Sequence, residues 1–213
     1  MKIALQSAID SRRDLPPLSQ AALARTDAEL QDQVHREVTL RGFWQPGQTL
    51  FLENRQMAGR PGFFVLTPFT LADGSSVIVQ RGWIPRDPYD RVRVSSPPLP
   101  AGEAVLTGRI APPPARLFEF GGAVSGTIRQ NLDLELFARE TGLRLRPLSV
   151  QQLAGVADLG EAPALLREWP RPATDVHKHY GYAFQWFALS ALTVLLYVWF
   201  QVLRPRRRPS PDA

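Results

Sequence analysis

The sequence predicts a membrane-anchored α+β protein. Its expected parts are a β-rich, mainly antiparallel, barrel-like domain outside the membrane, carrying one helix, and a C-terminal transmembrane helix. Three observations predict this. Residues 180–203, YGYAFQWFALSALTVLLYVWFQVL, carry no charge and end against Arg204, Arg206, Arg207 and Arg208. The chain has 20 prolines, which cut the preceding region into pieces suited to strands and turns. Several of those pieces alternate apolar and polar side chains with period two. The division that follows is a linker and short helical segment over 1–36, a β-rich domain over 37–176, the membrane helix over 180–203 and a basic cytoplasmic tail over 204–213.

In chain order, MKIALQSAIDSRRDLPPLSQ holds no export signal, because its longest apolar run is Ile3 to Leu5. LPPL at 15–18 reads as a linker, and the polar stretch 20–35, with its alanines and leucines, has room for one or two helical turns. EVTLRGFW at 37–44 alternates, Pro46-Gly47 forms a turn, and TLFLENR at 49–55 alternates again, which predicts a hairpin. GFFVLTPFTL at 62–71 and SSVIVQRGW at 75–83 flank Asp73-Gly74 and predict a second hairpin. EAVLTGRI at 103–110 makes a fifth strand. ARLFEF at 115–120 and RLRPLSVQQL at 144–153 suggest two more, separated by a helix over 132–141. Asn131 is the expected N-cap of that helix, with Asp133 and Glu135 in its first turns and Gly142 at its stop. About seven short strands then curl or close so that their edges are protected.

The uncharged run extends roughly 36 Å as a helix, enough to cross a hydrocarbon core of about 30 Å. Arginines beside a span stay on the cytoplasmic side, which puts the tail in the cytoplasm and the β-rich domain outside. Either a span precedes Met1, which is the expectation, with Lys2 and Arg12 as anchoring charges near it, or the domain stays inside and the arginines cross against that rule. Within the run, Gln185, Ser190, Thr193 and Gln201 are polar but uncharged, and such groups pack against another membrane helix.

The formal net charge is +5. With the four tail arginines set aside the chain is nearly neutral, so no basic face for nucleic acid is indicated, and the tail suits anionic lipid headgroups. The absence of cysteine excludes disulfides, thiol nucleophiles, Cys-ligated zinc or iron–sulfur centres and covalent haem attachment through CxxCH. No G-x-S-x-G elbow, H-E-x-x-H helix, Walker loop or G-x-G-x-x-G fingerprint is present, and no enzyme activity is expected.

Several segments together resemble the surfeit locus protein 1 family, assembly factors for haem–copper cytochrome oxidases. They are RGFW at 41–44, LFLENRQMAGRPGFFVLTPF at 50–69, VIVQRGWIP at 77–85 and HYGYAFQWFALSA at 179–191. The resemblance implies two spans flanking a β-rich domain. It implies a bacterial inner membrane with the domain periplasmic, or else a mitochondrial inner membrane. It also implies haem a as a transient, non-covalent cargo, and as partners the catalytic subunit of the oxidase and haem a synthase.

The same resemblance puts His179 at the outer mouth of the membrane helix as the haem a ligand. Tyr182 and Trp186 follow at i+3 and i+7, on one helical face with it. Read from the residues alone, aromatic side chains belong at membrane interfaces and His179 equally serves headgroups. His177 and His179, with Asp175, form an alternative metal pair, against which stands a solvated pre-membrane loop. Arg81, Gly82 and Trp83 close a predicted strand. The functional reading makes them a partner contact, and the structural reading makes them a β-bulge or strand exit. The expected function is an oxidase assembly factor that binds or presents haem a. The alternative is a scaffold that stabilises an oxidase assembly intermediate without binding haem.

Overall fold

The computed structural model describes Arg12, residues 15–90, Val94 and residues 98–118, 126–155, 165–169 and 176–203. Two compact units emerge, one within Ser7–Arg171 and one containing the long C-terminal helix.

The first unit is a seven-stranded mixed sheet with helices around it. Its strands are β1 (Glu37–Trp44), β2 (Leu50–Met57), β3 (Arg60–Leu71), β4 (Ser76–Pro85), β5 (Glu103–Ala111), β6 (Ile128–Arg129) and β7 (Leu145–Gly155). Their order is β1-β5-β7-β4-β3-β2-β6, with β1 also pairing to β3. The pairings β1–β5–β7–β4–β3–β1 therefore form a closed circuit. Gly42 permits the closure: a Cβ there would lie 2.1 Å from the Thr70 carbonyl oxygen, so only a bare α-carbon lets β1 reach β3. Five pairings are antiparallel, and β4–β7 and β2–β6 are parallel.

Alternation puts Val38 and Leu40 of β1 and Ala104 and Leu106 of β5 on the inner face, while Thr39, Arg41 and Phe43 face out. Strand β4 is buried along nearly its whole length. The largest core cluster joins Val38, Leu40, Phe69, Val77, Val79, Leu106, Ile110, Leu148 and Val150. Burying such side chains contributes about 1.5–3 kcal/mol each, before the entropy of ordering the chain is set against it.

Helix α1 (Asp27–Gln33) opens with a capping box. The Thr26 hydroxyl accepts from the Glu29 amide, and the Glu29 carboxylate accepts from Thr26 N. Helix α2 (Leu134–Thr141) stops at Gly142, which takes the left-handed conformation as a C-cap. The expected β3–β4 hairpin is present. Its Asp73 carboxylate accepts from the backbone N–H and hydroxyl of Ser75, and Arg146 binds the other oxygen at 2.8 Å.

Three expectations need correction. The hairpin expected between 37–44 and 49–55 does not form. The 3₁₀ turn Pro46–Gln48 carries the chain on, β5 pairs with β1 along Glu37–Phe43, and β2 pairs with β3 instead. The strand expected at 115–120 is absent over 115–118, and residues 119 and 120 lie outside the described residues. There the Asn131 side chain takes the place of a strand partner, accepting from Leu117 N at 2.7 Å and donating to Leu117 O at 2.8 Å. Asn131 is thereby spent, and Asp133 caps α2 through a bond from Leu136 N. The stretch 20–35, with room for one or two helical turns, holds α1 and the 3₁₀ turn Gln20–Ala22.

In the second unit, α3 (Val176–Val198) runs into a π-helical turn, Trp199–Leu203. Over Phe184–Gln201 the mean hydropathy is 1.3 and none of the window is buried. By length and composition this helix can cross a membrane.

Candidate functional site

Two groups of residues carry the sequence-level hypotheses. On α3 the backbone is helical through positions 179, 182 and 186, so 3.6-residue periodicity keeps them on one face. The side chains of His177, His179 and Tyr182, and all of Asp175, lie outside the described part of the structure. Trp186 is described and is 70% exposed. Among the described residues no group of three His, Cys, Asp or Glu side chains converges as a metal site.

The second group, Arg81-Gly82-Trp83, sits where β4 bulges. Val65 pairs with Gly82 and Leu66 with Gln80, which leaves Arg81 as the extra residue. Its side chain turns inward, where Nη2 donates to Pro98 O at 3.0 Å and the guanidinium stands 5.6 Å from the Trp44 ring centre. The motifs at 41–44 and 81–83 thus meet through a cation–π contact. Trp83 is fully buried among Met57, Phe64, Leu166 and Trp169, with Arg60 stacked on its ring at 5.5 Å. Its main chain bridges Leu166 in both directions, Trp83 N to Leu166 O at 2.8 Å and Leu166 N to Trp83 O at 3.0 Å.

Sequence reasoning missed Arg55. In TLFLENR it reads as one polar position of an alternating strand, but Asn54 adopts φ 58° and the register slips between Leu52 and Arg55. That slip turns Arg55 and Met57 inward. Arg55 donates through Nη1 to Ala115 O at 2.8 Å and through Nη2 to Gln130 O at 2.9 Å, while Nε has no partner. No carboxylate pairs with it among the described residues, and burial pulls its pKa below the ordinary arginine value. The available signal was Asn54, a residue type that tolerates the left-handed region.

A polar cavity of about 160 Å³ opens between Gly47, Thr49, Thr127, Phe137 and the Arg129–Glu140 ion pair. Both charges there are already satisfied by each other.

Fold and site together define a class: a mixed β-sheet domain in a chain that also carries an apolar helix of membrane-crossing length. The SURF1 family model matches residues 1–191, and the chain belongs to that family, whose members generally act as cytochrome oxidase assembly factors rather than as a known class of enzyme. It is 29% identical over 214 residues to uncharacterized SURF1-like proteins of Mycobacterium bovis and Mycobacterium tuberculosis, an alignment covering 93% of this chain and 74% of each relative. It is 21% identical over 175 residues to a SURF1-like protein of Rickettsia felis, covering 80% of this chain and 76% of the relative.

Proposed function

We propose that this chain is an assembly factor for haem–copper cytochrome c oxidase that binds haem a and presents it to the nascent catalytic subunit. Family membership across residues 1–191, which includes His179, is the observation that carries the reading. The helical backbone supports it by keeping positions 179, 182 and 186 on one face, with Trp186 exposed beside them. His179 would ligate the haem iron through a neutral imidazole, and Tyr182 and Trp186 would cover the macrocycle. Bound there, haem a is cargo, and the chain makes and breaks no covalent bond.

In this reading α3 anchors the chain in a bacterial inner membrane, with the domain periplasmic and the arginine-rich end cytoplasmic. The circuit of strand pairings is a curled, barrel-like sheet that faces the oxidase subunit and haem a synthase.

The test is complementation. In a bacterium lacking its own family member, the chain should restore haem a content and oxidase activity in the membrane, and His179→Ala should not, at equal membrane abundance. Restoration by His179→Ala to the native level would instead favour a scaffold that never ligates haem.

A further inference from the structure

The long helix carries most of its polar side chains on one side. Ser190, Thr193, Tyr197 and Gln201 follow at intervals of three, four and four residues, the last within the π-helical turn. At 3.6 residues per turn they fall within about 40° of a single line along the helix. The opposite side presents Phe184, Leu192, Leu195 and Trp199. Each of these residues is exposed. Of the hydroxyl and amide side chains in the window Phe184–Gln201, only those of Gln185, at its start, stand off the line. The Thr193 hydroxyl donates to Leu189 O at 2.9 Å, which leaves its oxygen lone pairs able to accept. Tyr197 and Gln201 on the same line supply donors. Acyl chains offer such groups no hydrogen bonds, so at membrane depth the line needs a partner.

We propose that this line is a seam on which a second copy of the chain packs, forming a parallel two-fold pair of α3 helices in the bilayer. The occupant follows from the chemistry of the seam. It holds no charge, and hydroxyl and amide groups each donate and accept, so the seam is complementary to itself. A two-fold axis sets the same patch against its own copy, and identical residues here meet without repulsion. Copies of one chain insert in one direction, which brings the four polar positions to matching depths. Spacings of three and four residues are those of helices crossing at about 20° in membrane bundles. The seam uses the part of α3 beyond Trp186 and stands whether or not haem binds.

The chain has no cysteine, so single cysteines report proximity without background. The test introduces Ser190→Cys, Thr193→Cys, Tyr197→Cys or Gln201→Cys, and Leu192→Cys or Leu195→Cys on the opposite side, into the full chain. Each variant is purified, reconstituted in phosphatidylcholine vesicles and oxidised. The disulfide-linked dimer is then read on a non-reducing gel. Seam positions should give at least about fivefold more dimer than Leu192→Cys and Leu195→Cys, and the excess should survive dilution with added lipid. The triple variant Ser190→Ala, Thr193→Val, Gln201→Leu keeps the span apolar enough to insert. Its association, measured by energy transfer between labelled copies, should weaken about tenfold. Equal cross-linking on both sides would mean random collision and would overturn the seam, as would association unchanged in the triple variant. A lack of dimer at every position would also overturn the second copy and give the line to a different helix.

Discussion

The indole nitrogen of Trp83 donates a hydrogen bond to the main-chain oxygen of Arg55 at 2.9 Å, tying β4 to β2 across the intervening β3. The indole passes over Gly62, where a Cβ would lie 2.4 Å from the ring. One side chain thus joins three strands, and the strand it crosses needs a glycine beneath it.

Trp83→Phe should keep most of the apolar contact and lose the donor, leaving a buried carbonyl without its partner. The expected cost is about 1–3 kcal/mol. Thermal unfolding of the full chain in detergent, followed by far-ultraviolet circular dichroism, should show the lowered midpoint. Gly62→Ala should be at least as damaging, because its Cβ also meets the Ile84 carbonyl oxygen at 2.2 Å.

The two-residue turn between β2 and β3 holds Ala58 at φ 49° and Gly59 at φ 73°, with Met57 opposite Arg60. Positive φ at both positions suits Asn-Gly, while alanine there carries a steric cost of about 1–2 kcal/mol. Ala58→Asn should raise stability by roughly 0.5–1 kcal/mol. An unchanged or lowered midpoint would mean that this turn is not a strained point.

Asp73 has its pKa lowered from 3.8 to about 2, first by the Ser75 hydroxyl and amide and then by Arg146. A depressed carboxyl contributes stability that is fully present above its ordinary pKa and disappears as pH falls through about 4 to 2. The carboxyl is 41% exposed, so the contribution should stay below about 1 kcal/mol. Asp73→Asn keeps an acceptor for Ser75 without the charge. Its midpoint should therefore lie below the native one at pH 6, and the gap should close toward pH 2.

Arg55→Lys should not substitute for the native residue. A single ammonium on a flexible stem replaces a planar fork that reaches the Ala115 and Gln130 carbonyls together. The expected loss is about 1–3 kcal/mol, read from the same unfolding curves.

Period-two alternation located β1, β3, β4, β5 and most of β2 and β7 to within a few residues, because each has one buried and one exposed face or a continuous apolar run. Gly142 likewise marked the end of α2. Pairing was harder to read. Strand β1 looks like half of a local hairpin, yet its partner β5 lies far along the chain, and the missing Cβ at Gly42 that lets it also reach β3 has no periodic signature. Asn131 has the right chemistry for a cap and uses it on Leu117 instead. At Arg81-Gly82-Trp83 the bulge was legible from the glycine. The packing of residues 165–169 against it was not, since their strand-like pairing with β4 is the bridge Trp83–Leu166 and they show no alternation. Arg55 was hidden by the slip at Asn54, which inverts the facing of everything after it.

The reduced-minus-oxidised absorption spectrum of the purified protein, produced together with haem a synthesis, addresses His179 most directly. The native chain should show a haem a band that His179→Ala lacks, with both proteins equally inserted in the membrane. A spectrum without haem in the native protein, while the oxidase catalytic subunit still co-purifies, would contradict haem handling and leave a scaffold.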